Sequence, residues 1–199
     1  MEKKENELEE NKNRPDVDQL EAELTRVEHN IRFRKYLRNT IYTLIVVAAC
    51  AVLVAVIFLP VLRIYGSSMT PTLNEGDIVL SIKNTNVKRG DVVGVYYGSK
   101  VLIKRCIATS LEWVDIDNEG NVIVNGEMLD EPYLTEKALG ETNIDLPFQV
   151  PENTIFVMGD HRATSIDSRN TSVGCISTDD VVGKIVFRVW PLKGFGGVD

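Results

Sequence analysis

The chain has 199 residues, of which 44% are hydrophobic and 26% charged. That balance suits one ordinary domain with appendages rather than a disordered chain. The formal net charge of −7 argues against a nucleic-acid partner, because neutralising phosphates takes a basic face. The three cysteines, Cys50, Cys106 and Cys175, show no CxxC spacing and are odd in number, which argues against a zinc site or a disulfide framework. They are expected to be small buried apolar residues.

Residues 1–16 begin "MEKKENELEENKNRP", almost entirely charged or amide-bearing, and are expected to form a disordered tail. From Val17 the apolar positions Val17, Leu20, Leu24, Val27 and Ile31 alternate in steps of three and four and share one helical stripe. Residues 17–39 therefore read as an amphipathic helix with a basic flank. The stripe over residues 17–31 could take a cytoplasmic partner or simply lead into the next segment; nothing in it names a partner.

Between Ile41 and Leu62 no residue is charged. About 20 such residues in a helix cross the ~30 Å hydrocarbon core of a bilayer, so a transmembrane helix is expected over residues 40–62. A cleaved signal peptide does not sit behind so long a polar segment. Arg26, Arg32, Arg34, Lys35 and Arg38 precede the span and Arg63 alone follows closely. The positive-inside rule then places the N-terminus in the cytoplasm and residues 63–199 outside the cell membrane.

The exported part reads as mainly β. "DIVLSI", "DVVGVYY", "KVLIKRCIAT", "WVDID", "NVIVNG", "TIFVMG" and "GKIVFRVW" are short Val/Ile-rich runs separated by Gly, Asn and Asp. Residues 117–121, "DNEGN", read as a hairpin tip, and residues 137–153 as a surface loop. The expected architecture is strands packed as sheets or a partly closed barrel, with little helix, behind one N-terminal membrane span.

Three polar segments interrupt these runs. The first, "YGSSMTPTLNEGD", holds Ser67 and Ser68; the second, "VLIKRC", places Lys104 behind three apolar residues; the third, "MGDHRATSIDSR", follows the apolar run "TIFV". A lysine in a Val/Ile strand ordinarily faces solvent. Buried, it loses hydration, and its pKa falls from about 10.4 by as much as several units. The neutral amine can then take a proton from a serine hydroxyl, so a Ser–Lys pair is a complete nucleophile and base that calls for no metal or cofactor. His161, between Asp160 and Arg162, is the rival base, but its charged context suits a surface or structural role. Ser165 can orient the lysine by hydrogen bonding, while Asp160 and Asp167 can pair with Arg105 and Arg169.

In this order and behind a membrane span, the segments resemble the boxes of the bacterial type I signal peptidases, membrane-bound Ser/Lys endopeptidases. "SMTPTLNEGD" resembles the nucleophile box, "IKRCI" the lysine box, "GDHRATSIDSR" the box usually written GDNRxNSxDSR, and "GKIVFRVWP" the final strand. The resemblance covers about residues 60–192 and points to the compact single-span form common in Gram-positive bacteria. It implies Ser68 as nucleophile, Lys104 as general base and Ser165 as the serine that hydrogen-bonds the lysine. It further implies Asp160 with Arg105 and Asp167 with Arg169 as supporting ion pairs, and Gly159 as the glycine that lets backbone approach the site. Ile64, Gly66, Met69, Leu73 and Ile103 match the substrate-binding positions.

The implied substrates are secretory preproteins, cut after small-x-small motifs such as Ala-x-Ala. Two departures stand out. Gly66 replaces a serine that helps some members hold the oxyanion, and His161 and Thr164 replace the usual asparagines. Two rival readings are a self-cleaving repressor of the DNA-damage response, which the membrane span argues against, and a catalytically silent, membrane-anchored β-domain acting as a binding module, which would be expected to have lost Ser68, Lys104 or Ser165.

Overall fold

The computed structural model describes residues 17–83 and 86–198; the tail expected over residues 1–16 lies outside the described residues. Two compact units divide the chain, one ending at Val54 and the other running from Ala55 to Asp199.

Helix α1 runs from Val17 to Phe58, and its residues up to Val54 form the described part of the first unit. The amphipathic segment and the apolar span are one unbroken helix of 42 residues, about 63 Å long at 1.5 Å per residue. It contains a stretch long and apolar enough to cross a membrane. Exposed pairs Glu23–Arg26 and Glu28–Arg32 lie one turn apart along its N-terminal half. Cys50 stands on the exposed surface of this helix, a correction to its expected burial; an apolar span offers its side chains to its surroundings rather than to a core. The helix also stops short of the expected Leu62. Pro60 has no N–H to continue the ladder and biases its predecessor out of the helical region, and Val61 and Leu62 enter a strand instead.

The second unit holds two antiparallel sheets. The larger has eight strands, in the order β1 (Val61–Arg63), β2 (Ile78–Ile82), β11 (Val181–Trp190), β3 (Val92–Tyr97), β4 (Lys100–Ala108), β9 (Thr154–Met158) and β10 (Ile176–Ser177), with β12 (Gly196–Gly197) beside β11. The smaller runs β7 (Glu127–Met128), β6 (Val122–Val124), β5 (Trp113–Ile116) and β8 (Phe148–Gln149). The strands expected from the Val/Ile runs all form. Neither sheet closes into a barrel, since β1 and β10 remain as separate edges. The strands too short to show a periodicity, such as β8 within the expected loop 137–153, arise from pairing to a neighbour.

Alternation along the strands divides the apolar residues into three packed groups. Ile107, Phe156 and Met158 of the large sheet meet Val114, Ile116, Val122 and Val124 of the small one. Ile64, Met69, Leu73, Val79, Val92 and Ile185 pack around the β1–β2 connection. Val93, Val95, Cys106, Ile155, Val157 and Ile176 form the third. Burial raises the Cys106 thiol pKa to about 12 and that of Cys175 to about 11, so neither is a thiolate at neutral pH.

The join between the sheets carries the second unit. Phe156 is fully buried there, its ring centroid 6.1 Å from that of Phe148. Phe156→Ala is expected to cost about 3–5 kcal/mol of stability, measured as a lowered urea midpoint with an unchanged slope.

Candidate active site

Ser68 lies in the connection between β1 and β2, which its own hydrogen bonds hold in place. Ile64 N–H donates to Asp77 O at 2.8 Å, Gly76 N–H to Ile64 O at 3.0 Å, and Leu73 N–H to Met69 O at 2.8 Å. Arg188 of β11 donates to Thr72 O at 3.1 Å and to the Asp77 carboxylate at 3.0 Å. Met69 anchors in the core, so Ser67 is exposed and Ser68 half-buried. Gly66 adopts a φ of +80°, a conformation that a side chain would strain.

Lys104 sits mid-way along β4, opposite Val93 of β3. The first residues of β4 are exposed, and the strand enters the interior at Lys104, which is 3% exposed. Burial lowers its pKa, against the opposing pull of the Asp167 carboxylate; Arg169 adds to the lowering and Asp160 opposes it. Its Nζ donates to Ser165 Oγ at 2.9 Å.

The loop that carries Ser165 begins where β9 ends. Because Arg105 of β4 pairs in register with Met158 of β9, the residues just past Met158 fall beside Lys104 and Arg105. Asp160 accepts both Nε (2.9 Å) and Nη2 (2.8 Å) of Arg105, and also the Thr72 hydroxyl at 2.6 Å. Asp167 accepts Nε and Nη2 of Arg169, each at 2.8 Å, and the Gly159 N–H at 3.0 Å. Burial alone would raise the Asp167 pKa. The hydrogen bonds and charge of Arg169, with the Gly159 N–H, hold it below the ordinary carboxylate value instead.

Arg169 also donates to four backbone carbonyls, those of Ala138 (3.4 Å), Leu139 (2.6 Å), Arg162 (3.0 Å) and Ser165 (3.3 Å), which clamps the loop. His161 N–H donates to Ser68 O at 3.0 Å, and its exposed ring hydrogen-bonds Thr164 Oγ1 at 2.9 Å. The histidine thus joins the loop to the Ser68 segment through its main chain.

Ser68 and Lys104 line one cleft of about 70 Å³ together with Ile64, Gly66, Met69 and Ile103. Leu73 is not among its walls: fully buried, it packs behind Met69 in the core. A larger hollow of about 660 Å³ lies elsewhere, between Val87, Ser110, Ile155 and Asp179, and holds none of these residues. Among the described residues no group of side chains is arranged to hold a metal.

A half-buried serine that shares a cleft with a buried amine of lowered pKa, itself bonded to a second serine, brings together the groups that Ser/Lys chemistry needs. The family described as "Signal peptidase, peptidase S26" matches residues 37–190. The chain belongs to this family. It is 34% identical over 161 residues to a signal peptidase I of Bacillus amyloliquefaciens, covering 74% of this chain and 82% of the relative. It is 35% identical over 141 residues to signal peptidase I T of Bacillus subtilis, covering 64% of this chain and 72% of that one. A signal peptidase I of Streptococcus pneumoniae is 27% identical over 203 residues, at 82% and 98% coverage. Among solved structures, a signal peptidase I of Enterococcus faecalis covers 50% of this chain and 97% of its own, with a TM-score of 0.41 and 24% identity.

Every residue lining the cleft falls inside the part matched to the signal peptidase family, whereas most of the amphipathic half of α1 precedes it. Further residues complete the surroundings. Thr72, inside the nucleophile segment, bonds Asp160; beyond the motifs, Glu131 pairs with Arg162 and the Tyr133 ring lies against Arg105. Glu131 and Tyr133 belong to "EPY", which lies in none of the three polar segments.

Two outcomes follow from this geometry. A Cβ on Gly159 would lie 2.2 Å from Ser165 Oγ and 2.5 Å from Ser68 O, so Gly159→Ala is expected to cost about 1–3 kcal/mol by overpacking, read as a lowered thermal midpoint. Lys104, with a native pKa below its unfolded value, binds its proton more weakly in the native state, so stability rises with pH between the lowered pKa and about 10.4. Lys104→Met is therefore expected to melt above the wild type at pH 7, with the gain shrinking as pH approaches about 10.4.

Proposed function

We propose that this chain is a signal peptidase I, a serine endopeptidase that removes N-terminal signal peptides from exported preproteins after small-x-small motifs, with Ser68 as nucleophile and Lys104 as general base. The observation that carries the assignment of roles is the Lys104 amine. It is buried, its pKa is lowered, its Nζ is held by Ser165, and it lines the cleft that contains Ser68. An exposed lysine would remain an ammonium ion at neutral pH and could not accept a proton.

In the reaction, Ser68 Oγ attacks the carbonyl carbon of the scissile peptide while its proton passes to Lys104 Nζ. The tetrahedral intermediate collapses as the lysine ammonium delivers that proton to the leaving amine, which departs with the mature protein. The signal peptide is left as an ester on Ser68. Lys104, neutral again, takes a proton from water, and the hydroxide adds to the ester carbonyl. Collapse of that second intermediate returns the proton to Ser68 and frees the peptide.

The developing oxyanion needs donors that carry no side chain at Gly66. The Ser68 N–H, which has no hydrogen-bond acceptor among the described residues, supplies one. A cleft of about 70 Å³ walled by Ile64, Met69 and Ile103 leaves room for a methyl group rather than a large side chain, which fits alanine in the substrate.

Helix α1 anchors the enzyme in the cell membrane, N-terminus in the cytoplasm, because its basic flank precedes the apolar stretch. Residues 63–199 then face the extracytoplasmic side, where preproteins emerge. The silent-module reading is not favoured, since the family and its relatives are peptidases by description.

With a preprotein in detergent micelles, Ser68→Ala and Lys104→Ala are expected to lower cleavage by at least about 10⁴-fold, while Ser67→Ala stays near wild type. The wild-type kcat should rise with pH through the lowered lysine pKa to a plateau. Cleavage retained in Lys104→Ala, or a profile flat in pH, would overturn the assignment of the base.

A further inference from the structure

The segment after β7 contributes one buried and one half-buried group, Glu131 and Tyr133, that none of the catalytic boxes contains. The Glu131 carboxylate is wholly inaccessible and pairs with Arg162, whose Nη1 lies 3.1 Å from Oε2 and whose Nη2 bonds Oε1. Glu131 Oε1 also accepts the Tyr133 hydroxyl at 2.7 Å. The Tyr133 ring in turn lies under the Arg105 guanidinium, with Cζ 3.8 Å from the ring centroid.

One short stretch therefore touches both arginines that bracket the site. Arg105 is on β4 next to Lys104 and grips Asp160. Arg162 is on the loop between Asp160 and Ser165, and its carbonyl accepts Arg169 Nη2 at 3.0 Å. Among the described residues the Arg162 Nε has no acceptor, so its guanidinium is oriented through Glu131.

We infer that Glu131 and Tyr133 are positioning residues of the peptidase reaction: through Arg162 and Arg105 they hold the loop that carries Ser165 against Lys104. The inference rests on the reading of Lys104 as the base. Neither residue touches substrate; each acts on kcat by fixing the amine that moves the proton. If the loop loosens, Ser165 drifts from Nζ and water reaches the amine. The ammonium form is then favoured at neutral pH, and fewer molecules hold a neutral base.

The two parts of Tyr133 separate in mutation. Tyr133→Phe keeps the ring under Arg105 and removes the hydroxyl bond to Glu131, whose carboxylate retains Arg162. Tyr133→Leu removes the ring face as well. Glu131 itself is the poorer probe, because removing it strands the buried Arg162 charge and threatens folding.

The test measures kcat, KM and the pH dependence of kcat on one preprotein in micelles for wild type, Tyr133→Phe and Tyr133→Leu, with thermal melts and Ser68→Ala in parallel. Tyr133→Leu is expected to lower kcat about 10–100-fold with KM within about twofold, and to move the rising limb of the profile to higher pH. Tyr133→Phe is expected to recover most of that loss. An unshifted pH limb with kcat unchanged, or reduced only in proportion to unfolded enzyme, would overturn the inference and leave Tyr133 a packing residue. Cleavage that survives Ser68→Ala would instead overturn the underlying mechanism, whatever the Tyr133 variants do.

Discussion

The buried amine of Lys104 is the constraint around which the second unit is arranged. Removing a lysine from water favours its neutral form, but only while nearby charge is kept in balance. Asp160 and Asp167 would, left free, draw the proton back onto the amine. Each is committed to an arginine through two hydrogen bonds, which fixes the carboxylates and offsets their pull on Lys104 without removing it. Ser165 then gives the amine a direction without giving it a charge.

Such a network is a costly way to gain stability and an effective way to gain geometry. Buried ion pairs recover little beyond their desolvation, yet breaking one strands a charge. Arg105, Arg162 and Arg169 are among the largest fully buried side chains of the molecule. Their donors reach carbonyls on the 138–139 and 162–165 stretches, as well as Gly90 O, so irregular backbone is tied down by hydrogen bonds. The regular part of the fold supplies the frame. The register of β3, β4 and β9 places Lys104 opposite Val93 and brings the turn after Met158 to its side.

Much of this was readable beforehand. Runs such as "DVVGVYY" and "TIFVM" are short, rich in Val and Ile, and bounded by turn residues, and they became β3 and β9. The strands that escaped reading, such as β1, β8 and β10, are two or three residues long and exist only because a neighbour offers its edge. A uniform apolar run could not show where α1 ends, and Pro60 with the β1–β2 pairing decided it. Leu73, expected at the substrate, lies behind the wall because a residue's distance from Ser68 along the chain does not tell which side of Met69 it packs on.

From the sequence alone follow the apolar helix, the β-rich remainder, and the three polar segments with the residue types that Ser/Lys chemistry needs, because these depend on composition, periodicity and local order. Only the tertiary structure decides that Lys104 is buried, that Ser165 and not His161 meets its amine, and that Glu131 and Tyr133 belong beside the site. Those facts depend on which distant strands pair and in what register, since desolvation and hydrogen bonding are properties of neighbours in space, and the lysine and the loop that holds it are brought together only when β4 and β9 pair.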